Sequence, residues 1–242
     1  MLIHNKKPFT KGVILLLSFF AALYAMFHPV LTDEAGNKVN CLHFSDELFN
    51  SLAKGSAYYI PGVSKKAAAL EGNAIDLTVK QKDAAAAAEA AKLVSRAGLT
   101  AEAKDNAVHI AGDLGKMLGV VVAASDKLYS NDDKAVAEMF GDADGLKSMK
   151  AWWGVLNPMI KELQKQKKIE EAEVVNLVNA KAIEPAYNFF GIKGEKIADR
   201  VPVVAGLLLF YVLYTMWYGY AIFDIFNGIG LSMSKSKAKK EA

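Results

Sequence analysis

With 242 residues, 52% of them hydrophobic, the chain has material for one or two modest cores. Its formal charge of +3 arises at the two ends, because the stretch from Asp33 to Arg200 holds 22 basic and 24 acidic residues. That acidic balance, with no basic stripe interleaved with aromatics, argues against nucleic acid as a partner, and the single cysteine, Cys41, excludes an intrachain disulfide.

Residues 1–12 read as a tail carrying Lys6, Lys7 and Lys11. Residues 13–31 then run 19 positions without a formal charge, close to the 20 or so helical residues that cross a hydrocarbon core. Basic residues before an apolar run, with Leu23-Tyr24-Ala25 as an acceptable cleavage site, also fit a signal peptide. We take the run as a retained first transmembrane helix.

Residues 32–200 read as one extracytoplasmic domain. After an exposed turn at Asp33–Lys38, Ser45 is expected to cap a short helix ending at Gly55, and a second short helix runs through Lys65 to Leu70. Ile75, Leu77 and Val79 alternate with Asp76, Thr78 and Lys80, as in a half-buried strand. An alanine-rich helix capped by Asp83 and closed by Gly98 follows, and then a hairpin turning at Lys104-Asp105-Asn106. This makes a β-α-β-β unit over about 73–112 and a helical part over about 113–190. Leu146, Met149, Trp153, Leu156 and Ile160 mark one apolar helix face, which Pro158 should kink or interrupt. A further helix over Ile169 to Ala182 should end or bend at Pro185.

Residues 201–231 contain one formal charge, Asp224, and are longer than a bilayer requires, so the second transmembrane helix should carry an interfacial extension. If the crossing begins near Val201, then Trp217, Tyr218 and Tyr220 reach the far interface and Asp224 lies just past it. The sharper alternative puts Asp224 inside the membrane, pairing with a base or lining an ion path. Lys235, Lys237, Lys239 and Lys240 fill the tail 232–242, and lysines outside both helices put both ends in the cytoplasm. Arg200 is a minor exception. The fold class is thus an α+β membrane protein, two transmembrane helices flanking a helix-rich extracytoplasmic domain.

No motif carries chemistry. Cys41, His43, Asp46 and Glu47 are close in sequence but lack the ligand set of a zinc site, and Asp142-Ala143-Asp144-Gly145 begins like a calcium loop without the later ligands. Four histidines stand apart from any acid or nucleophile at motif spacing, so neither an enzyme nor a cofactor is expected. Adjacent residues Trp152 and Trp153 point about 100° apart on a helix, so Trp153 is expected in the core and Trp152 either at a helix crossing or at a partner or membrane contact. Trp217, Tyr218 and Asp224 are the other contact candidates. Gly206, Gly219, Gly228 and Gly230 can admit a neighbouring helix, though no GxxxG occurs.

The plan resembles that of polysaccharide co-polymerases, without their proline-rich second helix and longer outer domain, and the β-α-β-β unit is similar to small envelope domains that bind peptidoglycan or lipid. Neither likeness rests on specific residues. The leading expectation is a non-catalytic accessory or scaffolding subunit of a bacterial inner-membrane complex, oligomeric, with a periplasmic domain that contacts other subunits. Alternatives are an extracytoplasmic ligand-binding or sensory module, and a transport-linked subunit using Asp224. The terminal Lys239-Lys240-Glu241-Ala242 keeps the endoplasmic reticulum open as another location.

Overall fold

The computed structural model describes residues 3–33 and 36–231. Glu34 and Ala35 of the first turn, and the tail lysines Lys235, Lys237, Lys239 and Lys240, lie outside the described residues. The protein is a helix-rich α+β chain with small sheets and two helices long and apolar enough to span a membrane. Its contacts divide into two units. One comprises Met1–Phe49 with Glu195–Ala242, and the other Asn50–Gly194.

In the first unit, α1 (Lys6–Phe27) starts inside the lysine-bearing tail, where Asn5 Oδ1 accepts from Lys7 N at 3.3 Å. It stops earlier than residue 31 because His28 precedes Pro29 and adopts an extended conformation, ψ 148°, that the proline ring favours. Leu31 belongs instead to β1 (Leu31–Thr32), paired antiparallel with β2 (Lys38–Val39). Next comes α2 (Cys41–Ser56), which runs across the boundary between the units. Its start is fixed by Asn40, whose Oδ1 accepts from His43 N at 2.8 Å, and not by Ser45, whose hydroxyl bonds back to Cys41 O. The other long element of this unit, α10, is Ile197–Gly228.

The second unit continues with α3 (Ile60–Ala68), β3 (Ala74–Lys80), α4 (Ala84–Arg96), β4 (Thr100–Lys104) and β5 (Ala107–Asp113). The sheet is antiparallel in the order β3-β5-β4. On β3 the alternation reads directly as burial, with Ile75, Leu77 and Val79 in the core and the residues between them exposed. Asp83 caps α4 by accepting from Ala86 N at 2.8 Å. Asp105, with φ 52°, supplies the left-handed residue that a two-residue hairpin needs. The free edge of β3 is covered: Gln166 Nε2 donates to Asp76 O at 2.8 Å and Lys168 Nζ to Ala74 O at 2.6 Å.

The helical part comprises α5 (Leu114–Tyr129), α6 (Asp133–Phe140), α7 (Gly145–Lys165), α8 (Ile169–Val178), a π turn over Asn179–Ile183 and α9 (Glu184–Asn188). Asp113 begins α5 and also ties down the preceding loop, accepting from Lys116 N at 3.1 Å and Gly72 N at 3.0 Å. These two N–H groups hold its carboxyl below the ordinary 3.8. In the core, α5 carries Leu114, Met117, Leu118, Val121 and Leu128 and packs against α3, α6, α7 and α9.

The structure narrows two proline expectations, each of which allowed a kink or bend as well as a break. Pro158 does not interrupt α7; the carbonyl it cannot bond, Gly154 O, receives Gln81 Nε2 at 3.4 Å. Pro185 does not end the following helix either. The π turn, in which Glu184 N bonds Asn179 O, starts a new register with Pro185 in the first turn of α9, a position proline tolerates.

Candidate functional site in the paired apolar helices

Within the first unit α1 and α10 pack antiparallel, and two glycines set how closely they approach. A Cβ added to Gly12 would lie 2.6 Å from Ile225 N and 2.8 Å from Ala221 O. One added to Gly228 would lie 2.5 Å from Phe9 Cβ. Backbone thus meets backbone at both points, which only a missing side chain allows. Gly206 and Gly219 have nothing within 4 Å and play no part in the pair, whereas Gly12 had no motif to announce it. At the same end, His4 N and Asn5 N donate to Gly228 O at 2.8 and 2.9 Å, satisfying a carbonyl that the end of α10 leaves open.

Several polar groups along the pair turn inward or back on their own helix, while the side chains of Tyr24, Tyr211 and Tyr220 are exposed. Ser18 Oγ donates to Leu15 O at 2.9 Å, and Trp217 Nε1 donates to the same oxygen at 3.1 Å. Thr215 Oγ1 donates to Tyr211 O at 3.0 Å and Val212 O at 2.9 Å. Phe19 is buried, stacked on Tyr214 at 4.3 Å between ring centroids, with the Tyr218 ring 5.1 Å away. Large apolar side chains, among them Leu17, Phe20, Leu208 and Leu213, face outward.

Asp224 belongs to the same interface as Ala221 and Gly228. Its side chain is 13% exposed, and Lys11 Nζ lies 3.0 Å from Oδ2 while the lysine side chain itself stays 68% exposed. The lysine stem reaches along the helix so that its head meets the nearly buried carboxylate. Trp217 and Tyr218, six or seven residues before Asp224, lie about two turns from that ion pair. A groove of about 510 Å³ beside them is lined by Lys11, Leu15, Leu213, Met216, Trp217 and Tyr220.

The tryptophans of the second unit exchange roles relative to the apolar face read from sequence. Trp152 is 0% exposed, against Phe140 and within the stripe Met149, Trp152, Leu156, Met159 and Leu163, so it cannot anchor a partner. Trp153 is 40% exposed, with Nε1 donating to Glu184 Oε1 at 3.0 Å. The physical reason is helix phase: two stripes rotated by one residue share Met149 and Leu156.

Among the described residues no three of His, Cys, Asp and Glu come together to hold a metal ion. His43 pairs at 3.6 Å with Glu47, and His109 meets Asp76 at 2.9 Å on the open sheet face. Asp142 accepts from Ala143 N at 2.8 Å, which holds its carboxyl below the ordinary value, and Asp144 caps α7 by accepting from Lys147 N at 2.9 Å. These acids are spent on helix starts.

Sequence reasoning missed a buried lysine. Lys54, 4% exposed, donates to Asn131 Oδ1 at 3.0 Å, Phe189 O at 3.0 Å and Ile192 O at 2.5 Å, and its own carbonyl accepts from the Tyr129 hydroxyl. Asn131, at φ 66°, also accepts from Gly191 N and donates to Ile192 O. The cluster binds the segment around residues 189–192 to α2. Burial pushes the Lys54 ammonium below its ordinary 10.5.

No protein-family model matches the chain, and comparison with curated proteins and with solved structures yields no match.

Proposed function

We propose that this chain is a non-catalytic accessory or scaffolding subunit of a membrane protein complex, anchored in a bacterial inner membrane by α1 and α10. Both termini are cytoplasmic and the second unit is periplasmic in this reading. The observation that carries it is the way the helix pair treats polarity. Ser18, Thr215 and Trp217 spend their hydrogen bonds on helix carbonyls, and Asp224 meets Lys11, while large apolar side chains point outward. Hydrocarbon demands this of a spanning segment, since no water is present to satisfy what the protein leaves open. The lysines at both ends support the orientation. Arg200, on the other side, is engaged by Glu195 in a two-point contact at 2.6 and 2.7 Å, which offsets the charge that argued against it. The accessory role is supported by the spending of Lys54, Asp113 and Asp144 on internal contacts. Purification of the full chain in mild detergent tests this reading: companion subunits should co-purify, and a monomeric, partnerless protein would count strongly against it.

One observation favours the second reading, an extracytoplasmic ligand-binding or sensory module. Asn179 Oδ1, at the start of the π turn, and Trp152 Nε1 are buried without a hydrogen-bond partner among the described residues. Such turns and orphaned groups concentrate at functional sites. A small molecule that raises the melting temperature of the wild type but not of Asn179→Ala would support this module; no response across a polar-metabolite panel would remove it.

A further inference from the structure

The groove on the α1 and α10 pair is apolar along its length and basic at one end. Leu15, Leu213, Met216 and Trp217 line it, Lys11 closes it, and its 510 Å³ is of ligand size. Lys7, Lys11 and Leu15 follow one another at four-residue steps, so one face of α1 runs from ammonium groups to hydrocarbon. Lys11 is matched by Asp224, whereas Lys7 is exposed and has no acidic partner among the described residues. That end of the groove therefore carries net positive charge.

We propose that the groove holds one acyl chain of an anionic phospholipid, with the lipid phosphate against Lys7 and Lys11. This rests on the reading that the two helices lie in a bilayer. A second protein helix fits the same surface less well. Close helix approach uses small residues, and this groove is walled by Leu, Met, Trp and Tyr, while Gly12 and Gly228 are consumed by the α1 and α10 contact itself. A flexible chain can follow such a wall. An anionic headgroup matches lysines at the level where interfacial charge is attractive, each contributing about fivefold in association.

Trp217 lines the groove and reports its occupant. The full chain is reconstituted in phosphatidylcholine vesicles containing acyl-brominated phosphatidylglycerol or, at equal mole fraction, acyl-brominated phosphatidylcholine. Trp217 quenching is read as the difference from Trp217→Phe. Stronger quenching by the anionic lipid is expected. The preference should fall by about fivefold in Lys7→Gln and return in Lys7→Arg, neither of which touches the Lys11 and Asp224 pair. Equal quenching by both lipids, or a preference untouched by Lys7→Gln, overturns the proposal. If neither lipid quenches, carbonate extraction separates two failures. A chain that stays in the membrane has its groove filled by protein, another copy included, and only the lipid assignment falls. A chain released by carbonate overturns the membrane reading together with it.

Discussion

Gln81 Nε2 lies 3.4 Å from the carbonyl oxygen of Gly154, the acceptor that Pro158, four residues later in α7, has no N–H to meet. A side chain from the end of β3 thus completes the hydrogen bonding of a helix it does not belong to. Gln81→Ala should cost about 0.5–1 kcal/mol in urea unfolding, the range of one long neutral hydrogen bond. In a Pro158→Ala background the restored N–H bonds Gly154 directly, so the same substitution should cost nearly nothing. Equal costs in the two backgrounds would show that the Gln81 contact carries no load.

Trp152 and Trp153 differ by their place on α7, not by chemistry. Trp152→Ala empties a core position and should destabilise by about 3–5 kcal/mol. Trp153→Ala loses only an exposed contact to Glu184 and should cost under about 1 kcal/mol. Acrylamide quenching checks the assignment spectroscopically: Trp153→Phe should remove the accessible component of the emission from the second unit, and Trp152→Phe should leave it.

What could be read from the residues divides along one physical line. The β3 strand was legible because Ile75, Leu77 and Val79 alternate without a competing pattern, and α4 because Asp83 and Gly98 bracket a run of alanines. The face of α7 was not, since Met149 and Leu156 belong to two stripes one residue apart, and only the tertiary partner Phe140 selects Trp152. Lys54 was invisible for a related reason. A lysine on an amphipathic helix reads as a solvent-facing charge, and its acceptors come from Asn131, Phe189 and Ile192, far along the chain. Gly12 likewise gains its meaning from Ala221 and Ile225, which no local motif connects to it.

Lys54→Met keeps most of the stem but removes one hydrogen bond from each of three acceptors that retain another donor, and should destabilise the full chain by about 1–3 kcal/mol. Its pH dependence carries a definite sign. Burial lowers the Lys54 pKa below 10.5, so the unfolded chain binds this proton more tightly, and stability rises with pH between the folded value and 10.5. Tyr58, which donates to Asp126 at 2.7 Å, and buried Tyr129 are both held above 10.0; they keep protons that the unfolded chain releases, so stability falls as pH passes 10.0. The wild-type melting temperature should therefore gain on that of Lys54→Met as the pH rises towards 10.5, and both should fall as the tyrosines pass 10.0.

Glycine substitutions separate the helix contact from general apolar character. Gly12→Leu and Gly228→Leu each force a side chain into backbone space and should weaken the pair by about 1–3 kcal/mol in mixed-micelle unfolding. Gly206→Leu and Gly219→Leu, with open space around them, should change little or raise helical stability slightly. A uniform effect at all four positions would mean that the pair does not depend on close backbone approach.

The Lys11 and Asp224 pair is asymmetric, and its asymmetry predicts an order of effects. Lys11→Gln leaves a carboxylate only 13% exposed without its cation, whereas Asp224→Asn leaves a lysine that is 68% exposed. An unpartnered buried charge is the costly outcome and a solvated one is cheap, so Lys11→Gln should cost about 1–3 kcal/mol and Asp224→Asn less than about 0.5 kcal/mol. The double variant should lie close to Asp224→Asn, because removing the carboxylate removes the reason for the lysine. A mixed-micelle double-mutant cycle measures this directly, and equal single costs would contradict the near-burial of Asp224. The same Asp224→Asn protein bears on the transport-linked alternative, which requires the carboxylate itself. Unchanged activity of the assembled complex with this variant would reduce Asp224 to a helix-pairing residue, and a lost activity at unchanged stability would give it a role in moving charge.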